Sequence, residues 1–308
     1  MNYRRSLQLS GLPYRKLNPN VQSSKGEGKE RYAPHKPLLL LCIIDLAEEG
    51  KWNPPLLCKT ADLRLRFDAY WAICQPRWGG RPGLDLPFHY LGSQGFWKPL
   101  TREGTTSRGP HSTDHVQLDA KFISDLSAKR IRNHLRKILV EAWFPHVEQS
   151  ALFAALGFSK AKLRKLDYDW VEEDAGLLAT GRNARFRVVV VTQYRFTCAL
   201  TGYGIQTRKG RSLVEAAHIH QFSKSRNNDP KNGLALCRDA HWMFDEGLWT
   251  VDEKHRVIVA DEVFTEWGPE TEWLKTRHQK ELNFLEGVTL RPDPRHLARH
   301  REKVFAQG

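Results

Sequence analysis

The sequence has no apolar run long enough to cross a bilayer. Its densest stretch, Leu38–Ile44, falls far short of the ~18 residues a spanning helix needs. No apolar segment follows the basic start Met1-Asn2-Tyr3-Arg4-Arg5, so a secretory leader is not expected. The five cysteines, Cys42, Cys58, Cys74, Cys198 and Cys237, are scattered, and no two form a Cys-x-x-Cys pair. That argues against a disulfide scaffold and makes a reducing, cytoplasmic setting the expectation. Acidic residues are in deficit, 35 against 48 Lys and Arg. Internal repeats are absent. What is present is apolar material: 40% hydrophobic residues and 10 Trp in 308 residues. This excludes global disorder, and the length suits two domains.

The net charge of +13 is unevenly spread: residues 1–170 carry +11 and residues 171–308 only +2. A strong positive field on one half points to a polyanionic partner, most often nucleic acid. The pattern suggests a basic binding part followed by a part with another task.

Residues 1–30 read as a loosely ordered arm, rich in Gly, Ser and Asn. Pro37 and Gly50 bracket an apolar helix over about Pro37–Glu49, and Leu63, Phe67, Tyr70 and Trp71 predict another over Ala61–Ile73. Leu86–Leu100 reads as a hairpin turning at Gly92–Gly95, and Arg102–His115 as a polar loop. Ala120–Trp143 contains a basic helix striped by Leu135, Ile138, Leu139 and Ala142. Residues 151–185 read as a linker. Strands are expected at Ser212–Ile219 and Leu234–Cys237, a helix at Asp239–Glu246, and a hairpin from Trp249–Asp252 to Arg256–Val259. Residues 261–308 read as a helical, peripheral tail. The fold class expected is α+β: a mainly helical basic domain over 1–150, the linker, and a small strand–strand–helix domain over 186–308.

The chemistry concentrates between Tyr194 and His255. Glu215-Ala216-Ala217-His218-Ile219 precedes Asp229-Pro230-Lys231-Asn232-Gly233, and Cys237 and His241 follow. The expected strands and helix bring His218, Asn232 and His241 to one place. A neutral imidazole can deprotonate water, a helix-borne His can ligate a cation, and an Asn can tie a loop to its backbone. That set can hydrolyse a phosphodiester. His220 has the same strand parity as His218 and is a rival base. Cys198 and Cys237 are either a thiol pair or half of a zinc site, and Asp245 either pins the helix end or joins a metal site.

At Tyr194, Cys198, Thr201-Gly202, Glu215–Ile219, Asn232–Cys237, His241, Phe244-Asp245 and Gly247-Leu248 the sequence resembles the HNH (ββα-metal) nuclease family. The resemblance implies His218 as general base, Asn232 as loop holder and His241 as metal ligand. It also implies products with 5′-phosphate and 3′-hydroxyl ends. Many members carry an Asp or His ligand immediately before the base, where this chain has Ala217. Glu215, on the same strand face as Ala217, is the expected substitute ligand, for Mg²⁺, Mn²⁺, Co²⁺ or Ni²⁺.

Two earlier segments, Tyr32-Ala33-Pro34-His35-Lys36-Pro37 and Leu86-Pro87-Phe88-His89-Tyr90, resemble the DNA sulfur-recognition domain. That resemblance implies that His35 and Lys36 contact a phosphorothioate and that Leu86, Pro87 and Tyr90 line its apolar cup. Lys36 and Leu86 stand where relatives often have Arg and Tyr. Arg77 and Arg81 are further candidate DNA contacts. The expectation is therefore a modification-dependent restriction endonuclease acting on double-stranded DNA, as a homodimer, with no membrane role. A DNA-binding protein with a degenerate nuclease, or a nuclease for methylated or unmodified DNA, are the alternatives.

Overall fold

A computed structural model of the chain describes residues 17, 21–23, 30–166, 168, 174–268 and 272–305. The expected arm over 1–30 lies almost wholly outside them. The chain forms two compact units, Met1–Ala184 and Arg185–Gly308.

In the first unit β1 (Val21–Ser23) pairs antiparallel with β2 (Glu30–Tyr32). Helix α1 (His35–Glu48) follows, with Pro37 in its first turn, where a missing N–H costs nothing. Every residue from Pro37 to Ala47 is buried, as expected of a helix apolar all round. Strand β3 (Leu56–Cys58) leads to α2 (Ala61–Trp78), whose cap is Thr60: its hydroxyl accepts from the Leu63 N–H at 3.2 Å. Then come α3 (Asp85–Tyr90), a 3₁₀ turn, and β4 (Trp97–Leu100). Strand β5 (His115–Leu118) sits between β3 and β4, antiparallel to both. Four helices follow: α4 (Ala120–Ser127), α5 (Lys129–Trp143), α6 (His146–Ala155) and α7 (Lys160–Arg164).

Helix α8 (Ala175–Gln193) spans the division between the units. In the second unit β6 (Val214–His218) pairs antiparallel with β7 (Gly233–Cys237), with Glu215 opposite Leu236 and His218 opposite Gly233. The short α9 (Phe222–Ser225) lies in the loop between them. Helix α10 (Arg238–Asp245) packs on both strands. The hairpin of β8 (Trp249–Val251) and β9 (Val257–Val259), then α11 (Pro294–Lys303), complete the unit. Its core gathers Phe186 and Val190 from α8, Tyr194 just after it, Leu234–Leu236 from β7, and Phe244, Trp249 and Leu297.

Three expectations fail. Leu86–Leu100 is not a hairpin: Leu84, Phe88 and Leu91 are fully buried at helical spacing, and β4 pairs with β5 instead. Gly92 serves the close approach to that strand, since a Cβ there would meet Pro99 Cδ at 2.7 Å. The linker over 151–185 does not begin at 151, because Ala151, Leu152 and Phe153 are core residues of α6. The polar residues before them belong to the same packed helix. Glu148 is buried against Arg77, and Gln149 donates to the Phe144 carbonyl at 2.8 Å. The tail over 261–308 is neither mainly helical nor peripheral. It holds one α-helix among its described residues, and Leu274, Leu282 and Leu297 belong to the second unit's core.

No helix among the described residues is long and apolar enough to cross a membrane.

Candidate functional site

His218 ends β6 with its ring flat on Phe186, centroids 3.8 Å apart and planes 9° from parallel. Phe222 of α9 lies 5.5 Å from the same ring. The opposing residue has to be glycine: a Cβ on Gly233 would come within 2.8 Å of Phe186 Cζ and 2.6 Å of Val190 Cγ2. His218 Nε2 lies 2.9 Å from Asn228 Oδ1. An amide oxygen can only accept, so Nε2 carries the proton and Nδ1 keeps its lone pair. Burial lowers the His218 pKa; the Asn228 contact raises it, the charge of His241 lowers it and that of Asp245 raises it. The ring is therefore a neutral base at pH 7.

His241 lies on α10, whose Ala240 and Phe244 face the core. Its Nδ1 is 2.8 Å from Glu215 Oε1 on β6, and its Nε2 is 3.4 Å from Asp245 Oδ2, one turn along the helix. A carboxylate on one imidazole nitrogen fixes the tautomer and leaves the other nitrogen to face a cation. Burial raises the Asp245 pKa; His241 opposes this, and the Glu246 and Glu215 carboxylates add to it. Ala217 is a core residue, 1% exposed. The structure thus sets Glu215 against His241 and gives Asp245 the place beside its other nitrogen.

Asn232 is fully buried and ties the loop at both ends. Its Oδ1 accepts from the His220 N–H at 2.8 Å, while its Nδ2 donates to the carbonyls of His220 at 3.0 Å and Asn227 at 3.1 Å. His220 itself points elsewhere, to a cleft shared with α11. Cys198 and Cys237 are hydrogen-bonded to each other; that bond lowers the Cys198 pKa and raises that of Cys237. Among the described residues no group of three or more His, Cys, Asp or Glu forms a ready metal cage.

Sequence reasoning overlooked Phe186 and Asn228. Phe186 lies 32 positions before His218, with no pattern linking them. Asn228 sits in the Asn227-Asn228-Asp229 run, a signal that reads only as a turn.

In the first unit a cleft of about 730 Å³ is lined by His35, Lys36, Trp78, Leu86, Pro87 and Tyr90, among others. The His35 ring lies 4.6 Å from that of Trp71 and 6.0 Å from that of Trp78, and burial lowers its pKa. Burial lowers the Lys36 pKa as well. Leu86 and Tyr90 are each 52% exposed at the rim. Arg77 is engaged differently: its Nε and Nη2 donate to Glu148 at 2.6 and 3.0 Å, joining α2 to α6. Arg81 is exposed on the loop after α2.

Residues 198–252 match the family model described as HNH endonuclease. That stretch contains Glu215, His218, Asn232, His241 and Asp245, so the second unit holds an HNH endonuclease domain. No curated protein matches the chain. One similar solved structure is described as "Modification dependent TagI restriction endonuclease". The two are 20% identical over 39% of this chain and 38% of that one, with a TM-score of 0.32. The match thus spans well under half of that protein.

Proposed function

We propose that this chain is a divalent-metal-dependent DNA endonuclease in which His218 is the general base. The observation that carries this reading is the His218 ring: stacked on Phe186, hydrogen-bonded through Nε2 to Asn228, and presenting a basic Nδ1 inside the HNH match. Nδ1 takes a proton from water as the water oxygen bonds to phosphorus. The bond from phosphorus to the 3′ oxygen breaks, and that oxygen takes a proton from solvent. The ends are a 5′-phosphate and a 3′-hydroxyl. Asn232 keeps His220 and Asn227 in place, which fixes the loop that carries Asn228.

One imidazole and one carboxylate suit a divalent cation, since Mg²⁺-type sites commonly take only one or two protein carboxylates, with water and substrate phosphate completing the shell. His241 Nε2 and Asp245 would hold the ion, with Glu215 orienting the ring; the ion would stabilise charge on the phosphate and the leaving oxygen. Mn²⁺, Co²⁺ or Ni²⁺ fit the imidazole as well as Mg²⁺.

The basic first unit is the reader. Its cleft combines His35 and Lys36 with the apolar carbons of Leu86, Pro87, Tyr90 and Trp78, and Arg81 extends the cationic surface. Sulfur on a phosphate is large and poorly hydrated, so an apolar cup with cations at its edge favours phosphorothioate over ordinary phosphate. The role is restriction of DNA so modified, in the cytoplasm. Because each chain holds one base, a double-strand cut calls for a homodimer.

Supercoiled plasmids from hosts with and without phosphorothioation, and with and without methylation, test this reading under each of the four ions. Cutting of the phosphorothioated plasmid above the others is expected. His218→Ala should retain DNA binding and lose about 10²–10⁴-fold in cutting rate. Cutting by His218→Ala at the parent rate rejects the base; no cutting of any plasmid rejects the nuclease.

A further inference from the structure

A second cleft in the Arg185–Gly308 unit, about 180 Å³, is lined by His220, Gln221 and Lys224 from the loop after β6 and by Arg299, His300 and Lys303 of α11. It has no acidic lining residue. Among the described residues Lys224, Arg299 and Lys303 make no ion pair, although α11 pairs Arg295 with Asp293 and Arg301 with Glu253. Helix α11 turns Arg299 and Lys303 to one side by their spacing of four. His300 and Leu297 anchor the helix: His300 stacks on Phe244 at 3.7 Å, and Leu297 is fully buried. His220 Nε2 is buried and lacks a hydrogen-bond partner. Three unpaired cations and an unsatisfied imidazole nitrogen about one small cleft make a site for a compact anion.

The cleft is wired to the base. His218 and His220 are two residues apart, Asn232 grips the His220 backbone from both sides, and Lys224 lies on the same short helix as Phe222, which touches the His218 ring. An anion bound there would sit on the loop that positions the general base.

We propose that this cleft seats a backbone phosphate of the DNA strand being cut, next to the scissile one, with Arg299, Lys303 and Lys224 as its cations and His220 as part of its wall. The inference rests on the nuclease reading and names part of its substrate surface. Phosphate contacts position a duplex and do not read its sequence, so this site sets where the chain lies over the active centre.

The test uses the full-length chain. Binding to a DNA duplex is followed by fluorescence anisotropy across a salt series, in the His218→Ala background so that the duplex survives. Arg299→Gln with Lys303→Gln should weaken binding about tenfold at low salt and reduce the log–log salt slope by roughly 0.9, the value for one phosphate contact. A control removes two exposed cations outside the cleft, Lys254→Gln with Lys280→Gln. With His218 intact, the cleft variant should raise KM for plasmid while kcat stays within about threefold. Competition with inorganic phosphate separates a duplex site from a free-anion site: millimolar phosphate should leave duplex binding unchanged. An unchanged salt slope, a slope lost equally in the control, or displacement by phosphate alone overturns the proposal. Absence of plasmid cutting by the parent chain, with the slope change intact, rejects the nuclease reading and upholds a phosphate site.

Discussion

The two units use charge in opposite ways. In Met1–Ala184 many of the cations that make the sequence basic are spent internally. Arg66 is fully buried, donating to Asp45 at 2.6 Å and to Glu49 at 2.7 Å, and Arg136 reaches Asp45 at 2.9 Å. Arg132 meets Glu48 at 2.7 Å, and Arg77 meets Glu148. In Arg185–Gly308, Lys224, Arg299 and Lys303 gather around one cleft and make no ion pair among the described residues. Net charge by segment therefore does not by itself say which cations are available to a phosphate. What matters is which cations have buried partners, because a paired, desolvated guanidinium has nothing left to offer a phosphate.

The largest expected effect breaks the comparison on the structural side. Arg66→Met strips the Asp45 and Glu49 carboxylates of their shared partner, and breaking a buried pair costs about 3–5 kcal/mol. Thermal unfolding should show the first unit's transition falling sharply while the second unit's stays. Equal movement of both, or of neither, would mean that the buried network does not hold this unit.

Next is Glu215→Gln, which sharpens the contrast by testing a carboxylate that serves a site and not a core. The amide keeps the shape but loses the charge at His241 Nδ1, and loss of such an orienting partner typically costs 10–100-fold in metal affinity. Isothermal titration with Mn²⁺ should show that weakening with melting temperature unchanged. An unaltered titration removes Glu215 from the centre.

The smallest effect lies in the pH profile. Burial lowers the His218 pKa, and a base works in its neutral form, above its pKa. The acid limb of kcat/KM should therefore fall below the ordinary imidazole value of about 6.5. A midpoint above that value would mean that the nearby carboxylates, not burial, govern the ring. The same unit holds a second buried imidazole, His300, with a pKa near 4. Its unfolded form takes up a proton first as pH falls, so this unit's stability should decline between about pH 6.5 and pH 4. Activity measurements belong above that window.

Much of the second unit was legible because local pattern and tertiary need coincide there. Gly-Leu-Ala-Leu-Cys can hardly be other than a buried strand, and Ala240 and Phe244 repeat at helical spacing. The first unit misled in two places. Residues 151–155 read as the start of a linker until Ala151, Leu152 and Phe153 are seen in the core. Leu86–Leu100 reads as a hairpin turning at Gly92–Gly95 until the common buried face of Leu84, Phe88 and Leu91 is seen.

The sequence by itself determined the ordering of chemistry along the chain: His218, Asn232 and His241 at fixed intervals, which short-range strand and helix periodicity can place. Only the tertiary structure decided which nitrogen of each imidazole is engaged, because that depends on Asn228, Phe186, Glu215 and Asp245 arriving from separate elements. The same holds for the cations. Whether a Lys or Arg is free to meet a phosphate depends on partners as far as 91 residues distant, as Arg136 and Asp45 show, and no local pattern carries that information.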